Sequence, residues 1–142
     1  MNQSAIFWPM TVQVLLTLVV AVRMYHTRVA ELYSRRISPQ ELATSRSALA
    51  ASLQNVAAAD NFRNLFEFPV LFFAICPILY ITNGVTPLQL ILAWAFVFLR
   101  IAHSFVHITY NRVIHRFRIF VLGMLSVSSM WAVFAIHLWR DL

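Results

Sequence analysis

Four long apolar stretches divide the chain, and polar side chains interrupt two of them at helical spacing. Residues 5–22, 62–81, 88–109 and 117–138 each approach the roughly 20 mostly apolar residues that a helix needs to cross a bilayer core. No lipid-exposed strand spans a membrane alone, because its backbone polar groups would go unsatisfied. The pattern therefore predicts an all-α chain: an integral membrane four-helix bundle of up-down topology, one domain over residues 1–142. Residues 26–58 form a long polar connection between the first two spans. Within it, Ser38, Pro39 and Glu41 carry the marks of a helix start. The Ala-rich run 42–59 predicts a further helix leading into the second span.

The interruptions form stripes. On the second span, with Asp60 at zero, Asn64 falls at about +40° and Glu67 at about −20°. On the third, with Arg100 at zero, His103 falls near about −60°, Ser104 near +40°, His107 near −20° and Asn111 near +20°. A short uncharged link, Asn83 to Pro87, makes these spans antiparallel neighbours. The stripes are expected to face each other, with Glu67 and Arg100 paired at mid-depth. Pro69 lacks an amide donor and is expected to kink the second span, freeing a carbonyl near Leu65. Ionisable groups in a bilayer are costly, so such stripes point to a functional site. Their bland reading is packing between helices.

Composition agrees with a membrane chain. Of 142 residues, 61% are hydrophobic and 11% charged, against about 25% charged in a soluble domain. The net charge of +6 comes from Arg alone, with no Lys. Most Arg residues flank apolar spans, which fits topology rather than nucleic-acid binding. Arg28, Arg35, Arg36 and Arg46 follow the first span, and Arg112 and Arg116 lie between the third and the fourth, with Arg118 just after. The positive-inside rule puts both Arg-rich connections in the cytoplasm and both termini outside. Trp8, Tyr80 and Trp139 then mark one interface, and Tyr25 and Tyr110 the other. No cleavable signal is expected. The single cysteine, Cys76, excludes an intrachain disulfide.

The run Asn64-Leu65-Phe66-Glu67-Phe68-Pro69 resembles the second-helix signature of the MAPEG family (membrane-associated proteins in eicosanoid and glutathione metabolism). Arg100-Ile101-Ala102-His103-Ser104-Phe105-Val106-His107 resembles its third-helix motif, and Arg116 the Arg that opens its fourth helix. The resemblance covers nearly the whole chain and suggests a divergent bacterial member in the inner membrane. It implies a left-handed four-helix bundle, assembled as a homotrimer, that binds glutathione between subunits near the cytoplasmic face. Asn64 and Glu67 would contact the glutathione backbone, and Arg100 would sit at the pocket base. His107 would replace a contacting Tyr, and His103 would join the binding set. Arg116 would hold the thiolate, with Arg118 the competitor for that role. The implied function is a glutathione-dependent transferase or peroxidase acting on lipophilic electrophiles.

The chain departs from the family pattern at Asp60, where glutathione-using members carry an Arg, and at His107. Two alternatives follow. One is a repurposed site that uses Asp60, Glu67, His103 and His107 for a cationic ligand or a metal. His103 and His107 have the i, i+4 spacing of a ligand pair, but no HExxH motif is present, and no metal site is assigned. The other is an accessory membrane protein whose stripes only hold an oligomer together.

Overall fold

A computed structural model describes residues 2–36 and 57–140. The expected helix start at Ser38–Glu41 and most of the Ala-rich run lie outside them. A short 3-10 turn, Gln3–Ile6, leads into α1, Phe7–Arg35. Then come α2 (Ala57–Glu67), α3 (Pro69–Ile81), α4 (Pro87–Ile108) and α5 (Val113–Arg140). Four helical units are long and apolar enough to cross a membrane, α2 and α3 together forming the second. The chain is an integral, multi-pass membrane protein folded as a four-helix bundle.

The first helix runs well past the expected end of its apolar stretch at residue 22, through Arg35. Helix-compatible side chains continue through Arg35, and Arg36 closes the helix in the left-handed region at φ 55°. Its 29 residues span roughly 44 Å at ~1.5 Å each. A bilayer core is about 30 Å thick, so the helix is longer than the core requires.

Pro69 divides the second span. Phe68 leaves helical hydrogen bonding, and Pro69 occupies the first position of α3, where its missing N–H costs nothing. The indole of Trp131 on α5 donates to the Leu71 carbonyl at 3.2 Å, tying α3 to α5 just beyond the break. In the next turn, Asn83 adopts φ 53° and Thr86 caps α4 by accepting from Gln89 N at 3.2 Å. The Val85 amide donates to Gln3 Oε1 at 2.9 Å, so the start of the chain is pinned to the α3–α4 turn.

That half of the bundle is apolar. Phe72 and Phe96 stack at 4.7 Å among Ile75, Leu79, Val97 and Met130, all buried. Two polar side chains there find helix carbonyls: Gln89 Nε2 donates to Met130 O at 3.0 Å and Ser126 Oγ to Leu92 O at 2.8 Å. The buried Gln13 amide on α1 has no partner among the described residues. Toward the Arg-rich end the apolar core gives way to Arg100, His103, Ser104 and His107.

Candidate functional site

The stripe on α4 faces inward as its spacing predicts. Arg100, His103, Ser104 and His107 are all buried, sharing a face with Ala93, Phe96 and Val97. Asn111 does not belong to it. The helix ends at Ile108, and Asn111 sits in the following turn at φ 48°, its amide donating to Val106 O at 2.9 Å.

The stripe on α2 is turned away. Ala58, Asn61 and Leu65 are buried, whereas Asp60 and Glu67 are exposed and Asn64 is half-buried. Relative to Asp60 the buried trio centres at about 130°. The expected facing of the two stripes is therefore corrected, because apolar packing through Ala58 and Leu65 sets the rotation of α2. Asn61, which the stripe omitted, makes the polar contact: Ser104 Oγ donates to Asn61 Oδ1 at 3.2 Å. Its place between two inward apolar positions was the available signal.

The expected Glu67–Arg100 ion pair does not form. Arg100 is 1% exposed, and Nε, Nη1 and Nη2 lack hydrogen-bond partners among the described residues. Glu67 acts on it only through space. The guanidinium carbon instead lies 5.8 Å from the Phe96 ring centroid and 5.1 Å from that of Phe120. Such placement over ring faces offsets part of the desolvation. Gly123 supplies the room, since a Cβ there would stand 3.4 Å from Arg100 Nη2.

Arg116 belongs to the first turn of α5, and α4 reaches it twice. His103 Nδ1 lies 3.2 Å from the Arg116 carbonyl, which makes Nδ1 the protonated donor and leaves Nε2 without a partner. The loop beyond α4 provides the other contact: Arg116 Nη1 donates to Asn111 Oδ1 at 2.7 Å. Arg116 Nε is buried with no acceptor among the described residues. These groups border an open cleft of about 180 Å³ lined by Asn64, His103, Val113, Arg116, Phe117 and Phe120. Arg118 is exposed and takes no part in the lining. Neither Asp60 nor Glu67 lines the cleft.

The unpartnered atoms of this region are mostly N–H donors, on Arg100, Arg116 and Asn61, with His103 and His107 beside them. Such a set accepts an anion and repels a cation. Among the described residues no three His, Cys, Asp or Glu side chains gather as a metal site. His103 and His107 stand with ring centroids 5.8 Å apart, backed by two Arg residues rather than by a third ligand.

Searches of curated proteins and of solved structures return no match. The MAPEG family model matches residues 6–136. That match takes in all four spans together with the Asn64–Pro69, Arg100–His107 and Arg116 motifs, and the chain belongs to the MAPEG family.

Proposed function

We propose that this protein is a glutathione-dependent transferase or peroxidase for lipophilic electrophiles, working at the Arg-rich, cytoplasmic end of the bundle. The observation that carries the reading is Arg116 on the cleft wall, beside buried N–H donors that lack acceptors. Glutathione fits that donor set. It brings two carboxylates, which suit guanidinium forks, and a thiol that titrates near roughly pH 8.5 in water.

A guanidinium beside the sulfur favours the thiolate, which is the nucleophile. In the transferase reaction the sulfur forms a bond to the electrophilic carbon. The leaving group departs with its electron pair, and the thiol proton passes to water. The apolar cleft walls, Val113, Phe117 and Phe120, suit an electrophile that arrives from the bilayer. Asn64, His103 and Arg116 are the expected site residues that line the cleft. Asp60 does not line it, so its negative charge is not directly opposed to an anion there.

The cleft is smaller than the roughly 300 Å³ at which ligand pockets begin. It is a partial site, to be completed by a neighbouring copy in a homotrimer. Exposed Glu67 supports this, since a carboxylate on the outer face of a span is costly against lipid. We place both termini outside a bacterial inner membrane, from the Arg distribution. Calorimetry of glutathione binding to the detergent-purified protein is the test. Saturable binding that requires Arg116 supports the reading, and no binding at millimolar glutathione removes it.

A further inference from the structure

We infer that Asn111 is a positioning residue that aims Arg116 while leaving its charge free for the thiolate, an inference that rests on the glutathione reading above. The Arg116 side chain is long, and a fork that wanders stabilises an anion poorly. Asn111 holds one corner of it through the 2.7 Å bond to Nη1. The backbone behind that fork is held as well, by His103 at the Arg116 carbonyl. Arg116 Nε, buried and without an acceptor, is left for a ligand.

Asn111 is itself fixed. Its amide donates to Val106 O at 2.9 Å, and its φ of 48° lies in the left-handed region. Few side chains adopt that conformation readily; Gly does, and Asn and Asp follow. Of these three, Gly offers no acceptor. Asp offers an acceptor that carries a full negative charge, which would cancel much of the guanidinium's effect on a nearby thiol. Asn is the one that fits the turn, accepts the bond and stays neutral. The ionisable groups in electrostatic reach of Arg116 are His103 and His107 on α4; Arg100 in turn acts on His103, and Asp60 on α2 acts on His107.

Two variants separate this role from turn formation, because both keep the turn. In Asn111→Gly the acceptor is lost; in Asn111→Asp it is kept and charged. The readout is the midpoint of the ultraviolet thiolate absorbance of bound glutathione, titrated with pH in the purified full-length protein. A thermal melt of each variant checks the fold. The midpoint is expected to rise by about half a unit to one unit in Asn111→Gly and by about 1–3 units in Asn111→Asp. Melting should stay close to that of the wild type in both. Equal midpoints in all three proteins overturn the inference. So does a midpoint raised in Asn111→Gly and restored in Asn111→Asp, which would mean that any acceptor serves. If Asn111→Gly does not fold, Asn111→Asp against wild type decides the matter alone. Absence of thiolate in the wild type removes the glutathione reading itself, and this inference with it.

Discussion

Two Arg residues separated by one position compete for a single role, and helix geometry parts them. Arg116 and Arg118 point about 160° apart around α5, so only Arg116 reaches the cleft. Arg116→Ala is expected to lower glutathione-dependent turnover by roughly 10²–10³-fold, the usual effect of removing one preorganised charge-stabilising group. Arg118→Ala should turn over much as the wild type does; steady-state assays on the two proteins compare them directly. Arg100 poses a different question. It is buried and has no acceptor among the described residues, an arrangement that costs stability. Replacing it by Met should raise the unfolding free energy of the ligand-free protein by roughly 1–3 kcal/mol and weaken glutathione binding. Chemical denaturation and calorimetry on the same variant read both effects. A less stable Arg100→Met protein would reveal a partner supplied by the assembled oligomer.

At the scale of elements, what the sequence made legible follows from the kind of force involved. Apolar length located all four spans, and the α4 stripe was readable because its polar residues share a face with Ala93, Phe96 and Val97. On α2 the ionisable stripe does not set the rotation: Ala58 and Leu65 decide which way that helix faces, and Asp60 and Glu67 are left exposed. Asn111 lies two residues past the end of the third apolar stretch at 109, and it would share the stripe only if the helix continued beyond Ile108. A left-handed Asn is visible only once the turn is built. Arg36 closes α1 in the same manner, which is why the first helix outran its apolar stretch. The close approach of α4 and α5 rests on Gly123, whose missing side chain makes way for the Arg100 guanidinium. Gly123→Leu should therefore destabilise the bundle by about 1–3 kcal/mol, the usual cost of overpacking. Gly123→Ala should be milder, since its Cβ would meet Arg100 at ordinary contact distance. Thermal melts in detergent rank the two.

The whole molecule places an apolar half and an electropositive half on one bundle. The first is held by aromatic stacking and by polar groups bonded to helix carbonyls. The second gathers unpartnered cationic donors on Arg100 and Arg116, a set suited to an anion. Orientation across the membrane is accessible to a labelling test, because the native Cys76 is buried. A cysteine at Ser4 should react with a membrane-impermeant thiol reagent added outside intact cells, and one at Thr109 should not; both positions are exposed. The reverse pattern would invert the topology and move the cleft to the other side. For assembly the sequence carries only the homotrimer that the family resemblance implies, and α2 leaves Asp60 and Glu67 exposed on its outer face.

The most direct test is a thiolate difference spectrum of glutathione mixed with the purified protein at neutral pH, recorded for the wild type and for Arg116→Ala. A thiolate band that saturates with glutathione in the wild type and disappears in Arg116→Ala is the expected result. No band in the wild type, or one that persists without Arg116, would contradict the assignment of this cleft to glutathione activation.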